Sequence, residues 1–122
     1  MDKKDIIQLP TASLAYLGDA VLEILVRERL ILDGNGDIHK RALSYVTAVA
    51  QSKAAEKLLS LLTEDEADVY KRGRNNTHTA PKSATHAEYS RATGLECLFA
   101  YLYLAKNEGR IKELFEIGFK AD

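Results

Sequence analysis

The chain has 122 residues, enough for one domain with an ordinary hydrophobic core, and it is 46% hydrophobic and 29% charged, the balance of a globular protein in water. Its 17 basic and 18 acidic residues leave a formal charge of −1, so overall charge points to no nucleic-acid partner. No apolar run reaches the roughly 18 residues of a transmembrane helix, and the single Cys97 excludes an internal disulfide.

Taken in chain order, the sequence predicts an all-α domain over residues 1–122. Met1-Asp2-Lys3-Lys4-Asp5 lacks the apolar region of a signal peptide, so a cytoplasmic protein with no membrane contact is expected. Thr11 or Ser13 stands in place to cap a first helix running to about Leu32, which Gly34-Asn35-Gly36 ends. Its apolar stripe reads Leu14, Leu17, Val21, Ile24 and Leu25, with Asp19 and Glu23 just off that stripe, one turn apart. A second helical region runs from Asp37 to about Leu62, and the cluster Val46-Thr47-Ala48-Val49 marks a bend or break in it. Thr63 with Glu66 forms a capping box that opens a third helix ending near Gly73. Gly73 to Ala84 reads as one long polar loop, of the kind that is functional or disordered. Thr85 with Glu88 is a second capping box and starts the helix that carries Glu96. Asn107-Glu108-Gly109 breaks that helix, and Ile111, Leu114, Phe115 and Phe119 pattern a last amphipathic one.

Two carboxylates stand out against this pattern. Asp19 interrupts Leu17-Gly18-Asp19-Ala20-Val21-Leu22, and Glu96 shares a helical arc with Tyr89, Ala92, Phe99, Ala100 and Tyr103. A carboxylate is rarely buried unless it is ion-paired, hydrogen-bonded or bound to a metal. One reading is a buried ion pair or a helix-end hydrogen bond. The other is that two acids far apart in sequence meet at one cation, and oxygen ligands of this number suit Mg²⁺. Around the polar loop, Lys71, Arg72, Arg74, Lys82 and Arg91 form a local basic stretch able to meet phosphates on an otherwise neutral chain. Gly-rich phosphate loops, zinc-type Cys/His spacings and Glu-x-x-His are absent, and His39, His78 and His86 read as polar surface residues.

Leu17-Gly18-Asp19-Ala20-Val21-Leu22-Glu23 resembles the signature of the ribonuclease III catalytic domain, and Leu95-Glu96-Cys97-Leu98 resembles that family's second acidic motif. Closer still is the mini-ribonuclease III branch, which consists of the catalytic domain alone. The matching stretches are Ala15 to Ala20, His39-Lys40-Arg41-Ala42 with Tyr45-Val46, Gln51, Lys71-Arg72-Gly73-Arg74-Asn75, and Pro81-Lys82. Two acids of the full-length enzymes' pattern are replaced, by Ala15 and by Thr93, as in the mini branch. The chain also stops at Asp122 without a double-stranded RNA-binding domain, again like that branch.

The resemblance implies a ribonuclease III endonuclease-domain fold, a helical homodimer with a valley for double-stranded RNA, and Mg²⁺-dependent cutting that leaves 5′-phosphates. It implies that Asp19 and Glu96 are catalytic and hold the metal, with Glu23 a candidate outer partner against the alternative of an Arg27 salt bridge one turn away. Arg72, Arg74, Asn75, Asn76 and Lys82 are the candidate RNA contacts, set against the alternative that the arginines pair with Glu64, Asp65 or Asp68. By analogy the substrate is the large-subunit (23S) ribosomal RNA precursor, with a ribosomal protein as a candidate helper. The rival readings are a non-catalytic RNA-binding or ribosome-assembly protein on the same fold, and a structural helical dimerisation module.

Overall fold

The computed structural model describes residues 1–34, 36–76 and 84–120. The regular elements among them are all helical: α1 (Lys3–Ile6), α2 (Thr11–Asp33), α3 (Ile38–Val46), α4 (Ala48–Leu58), α5 (Glu64–Asn75), α6 (His86–Leu104) and α7 (Glu108–Gly118), with a 3₁₀ turn at Leu59–Leu61. The local signals set most boundaries. Gly34, at φ 66°, closes α2 in the left-handed conformation and returns its N–H to the Leu30 carbonyl. Thr47 breaks the second helical region: its hydroxyl donates to the Leu43 carbonyl behind it and accepts the Ala50 N–H ahead of it, ending α3 and starting α4. Both expected capping boxes form, at Thr63–Glu66 and at Thr85–Glu88.

Three expectations need correction. The residue before α2 is Pro10, which offers no side-chain cap, and Thr11 is already helical. Helix α5 continues past Gly73 to Asn75, so the expected polar loop is shorter, and its residues 77–83, with His78 and Lys82, lie outside the described residues. The stripe of α2 is rotated: Leu14, Gly18, Val21, Leu22, Val26 and Leu30 are buried, whereas Ile24 is 67% exposed.

Helix α6 is the centre of the domain. Helices α2, α4 and α5 pack on it from three directions, and α7 lies against α4 and α6. Leu95, Leu98, Phe99 and Ala100 are completely covered. A helix apolar nearly all round belongs in the interior, and of the arc shared with Glu96, Ala92, Phe99 and Ala100 are buried while Tyr103 is exposed. Gly94 allows the closest approach of α5: a Cβ at that position would stand 2.8 Å from the Tyr70 carbonyl oxygen.

The most deeply buried carboxylate in the described core is Glu66, only 4% exposed. It accepts the Thr63 N–H at 2.9 Å and two hydrogen bonds from the Arg110 guanidinium, at 2.9 and 2.8 Å. Arg110 also reaches the Leu61 carbonyl and Glu113, tying α7 to the start of α5. Burial disfavours the charge on Glu66, but Arg110 and the Thr63 N–H outweigh it and hold the carboxyl below its usual range.

Candidate active site

The site is built where α2 crosses α6. A Cβ on Gly18 would lie 1.7 Å from the Glu96 carbonyl oxygen, so the two backbones touch at this point and only glycine fits. Asp19 follows directly, on the solvent side of α2, while Glu96 is partly buried on α6. The crossing brings the two side chains together, close enough to share a hydrogen bond. Burial, the neighbouring Asp19 charge and that shared hydrogen bond push the Glu96 carboxyl up to about 8. Among the described residues, none of the ion pairs reaches either acid. The ion-pair alternative for Asp19 and Glu96 is thus replaced by an acid–acid pair. Among the described residues no cluster of three or more His, Cys, Asp or Glu side chains exists, and these two carboxyls are the side chains of those types brought together here.

The surrounding positions of the motif are ordinary. Ala15 is partly covered by the core, and the Thr93 hydroxyl donates to the Tyr89 carbonyl within its own helix. Glu23 pairs with Arg27 at 3.1 Å, the local salt bridge that competed with an outer role at the metal. Cys97 is buried, its S–H directed to the Thr11 carbonyl at 3.6 Å. Burial, assisted by the Glu96 charge, pushes its thiol up to about 12, so it is an inert core residue.

The candidate RNA contacts separate. Arg72 is spent on its own chain: its guanidinium donates to the Ile7 and Leu9 carbonyls and to the Thr11 hydroxyl. This corrects the reading of Arg72 as a partner of Glu64, Asp65 or Asp68: its bonds go to residues 7–11, and Asp65 pairs instead with Lys3. Arg74, Asn75 and Asn76 occupy the end of α5, where Arg74 makes one long contact, 3.4 Å, to the Asn75 side chain. Arg41 pairs with Asp33 at 2.8 Å, joining α3 to the end of α2. Sequence reasoning missed the weight of Gly18. The signal was present: a lone glycine inside a long apolar helix marks close backbone approach.

Comparisons with known proteins give the family and the fold. The Ribonuclease III domain family matches residues 12–107. The Mini-ribonuclease 3 of Symbiobacterium thermophilum is 50% identical over 112 residues, 88% of this chain and 86% of the relative. That of Thermoanaerobacter is 36% identical over 121 residues, 96% of this chain and 85% of the relative. The crystal structure of a Fusobacterium nucleatum protein superposes with a TM-score of 0.84 at 34% identity, covering 91% of this chain and 93% of the other. The chain belongs to the ribonuclease III family of endoribonucleases, in its mini-ribonuclease III branch.

Proposed function

We propose that the chain is a Mg²⁺-dependent endonuclease of double-stranded RNA that acts as a homodimer, with Asp19 and Glu96 as its catalytic acids. The observation that carries this reading is the acid pair at the Gly18 crossing, which no basic side chain among the described residues neutralises. The donor set fits the metal: two carboxyls, one of them facing solvent, are the usual protein share of a Mg²⁺ shell that keeps several waters. Once held there, Mg²⁺ supplies polarisation of the scissile phosphate and stabilisation of charge on the leaving oxygen. Glu96 must give up its proton to become a ligand. Asp19, on the solvent side, faces the direction from which a phosphodiester can approach. Hydrolysis of the P–O3′ bond leaves a 5′-phosphate and a 3′-hydroxyl.

Arg74, Asn75 and Asn76, with Lys82 beyond the described residues, are the proposed contacts to the duplex. Arg74, Asn75 and Asn76 stand together at the end of α5, and A-form RNA is met through phosphates and 2′-hydroxyls rather than base edges. The homodimer reading is supported by a ridge on α2: Tyr16 is 85% exposed and Ile24 and Ile31 are each 67% exposed, at helical spacing on one side of the helix. The 23S precursor as substrate, a helper ribosomal protein and a cytoplasmic location rest on the family likeness alone. Among the described residues no helix is long and apolar enough to cross a membrane.

The test is cleavage of a long labelled RNA duplex with Mg²⁺ by the native chain, Asp19→Asn and Glu96→Gln. Cutting by the native chain alone, with folding and duplex binding intact in all three, is the expected result. Duplex binding without cutting by the native dimer would favour the non-catalytic assembly protein instead.

A further inference from the structure

The sequence places Arg72 in a basic stretch, but its guanidinium is bonded to its own chain. It lies in the junction where the last turn of α5 meets residues 7–11, the link between α1 and α2. Nε donates to the Thr11 hydroxyl at 2.8 Å, Nη1 to the Ile7 carbonyl at 2.6 Å and Nη2 to the Leu9 carbonyl. One planar fork thus fixes three acceptors within five residues of chain, a geometry that a lysine point charge cannot reproduce.

The start of α2 is held by Leu14, buried in the core, and by few polar contacts. Its N-cap is Pro10, with no side-chain cap, and the Thr11 hydroxyl, which elsewhere in this chain is how a threonine starts a helix, is turned to Arg72. A second bond to the same point comes from α6, where the Cys97 S–H meets the Thr11 carbonyl. A positive charge beside a helix N-terminus opposes the helix dipole. The return on this arrangement is therefore geometric: the direction in which α2 leaves the junction.

That direction matters because α2 touches α6 backbone to backbone at Gly18, one residue before Asp19. Thr11 and Asp19 are eight residues apart, about 12 Å along the helix. With its start held at Thr11 and its waist held at Gly18, α2 has no freedom to rock about the crossing. With the start released, the turns between Thr11 and Gly18 loosen while Val21, Leu22, Val26 and Leu30 stay in the core, and the Asp19 carboxyl, at the edge of the loosened turns, shifts against Glu96. Displacements of a fraction of an ångström to about 1 Å between reacting groups are enough to slow chemistry severely.

We infer that Arg72 is a positioning residue for the acid pair: it clamps the chain leading into α2 and, through that helix, sets Asp19 against Glu96. The inference rests on the nuclease reading for its effect on cutting, but the clamp itself has a readout independent of RNA.

The experiment compares native chain, Arg72→Lys, Arg72→Ala and Thr11→Val in three measurements. These are single-turnover duplex cleavage at saturating enzyme, duplex affinity as a function of salt without cleavage, and amide hydrogen exchange in the metal-free chain. Expected for Arg72→Lys is a cleavage rate about tenfold lower, with affinity and salt slope unchanged. Exchange should be faster at Leu14–Asp19 only, with α6 as protected as before. Thr11→Val should show the same pattern more weakly, and Arg72→Ala more strongly. Weaker binding with a shallower salt slope would overturn the inference in favour of a phosphate contact. An unchanged rate, or faster exchange throughout the domain, would overturn it in favour of a purely structural role. If the native chain cuts no duplex, the nuclease reading falls, and exchange decides the clamp: acceleration confined to Leu14–Asp19 supports it, and no change sinks it.

Discussion

Two carboxylates in this domain live out of water in opposite ways. Glu66 brings its own counter-ion: Arg110 holds it with two hydrogen bonds, the Thr63 N–H adds a third, and its carboxyl is held below the usual range. Glu96 has only another acid for company, and its carboxyl is pushed up to about 8. One arrangement is closed and serves packing. The other has no basic partner among the described residues, and that deficit of positive charge is what supports the proposal of a cation there. Burial alone therefore does not separate a structural acid from a functional one; the partner does.

The largest expected break in this comparison is in cutting. Asp19→Asn and Glu96→Gln should each lower duplex cleavage on the order of a thousandfold, since several kcal/mol of charge stabilisation leave with the metal. The same assay on Arg110→Ala at a temperature where it is folded should stay near the native rate. On the stability side the roles reverse. Arg110→Ala strands a buried carboxylate and should cost about 4 kcal/mol in denaturant unfolding. Replacing both partners, Glu66→Leu with Arg110→Met, should recover most of that loss.

Gly18→Ala comes next, at about 3 kcal/mol, because its Cβ can be accommodated only by parting α2 from α6. Unlike Arg110→Ala it should also depress cutting, since the separation moves Asp19 away from Glu96. The smallest effect sharpens the contrast most. Glu96→Gln should raise stability near neutral pH by about 1 kcal/mol, discounted for the partial exposure of the site.

The pH dependence follows with opposite signs. Glu66 has a folded-state value below its unfolded value of about 4.3, so its contribution is present above that pH and lost as the pH falls through the folded value. Glu96 has a folded-state value above its unfolded one, so its penalty is absent at acid pH and grows as the pH rises towards about 8. Melting curves of Glu66→Gln should thus diverge from native as the pH rises towards the unfolded value of about 4.3, and those of Glu96→Gln between roughly pH 4.5 and 8. Coincident profiles for the two variants would show that the acids are equivalent after all.

What is legible in the sequence is what is local. Gly34, the Thr47 break and the capping boxes of α5 and α6 are decided by hydrogen bonds spanning three or four residues, and residue type and spacing alone locate all of them. Helix α1 escapes such a reading, because four residues form a helix only when held elsewhere: the Met1 amino group reaches the Leu104 carbonyl, and Lys3 pairs with Asp65. The buried face of α2 escapes it too, because Ile24 and Val26 are both apolar, and only packing decides which one points inward. The site divides the same way. Asp19 and Glu96 stand out as lone acids, but their meeting depends on a glycine contact between helices 78 residues apart in sequence (18 against 96), and the use of Arg72 depends on a junction that no spacing rule describes.

The Gly18–Glu96 contact has one more consequence. Many catalytic groups sit on loops that can open or melt while the rest of a protein stays folded. Here the two acids stand on α2 and α6, and α6 is the helix around which α2, α4, α5 and α7 are assembled. With Arg72 in place the site belongs to the same unit as the core, so in the native chain thermal loss of the acid pair should coincide with global unfolding instead of preceding it.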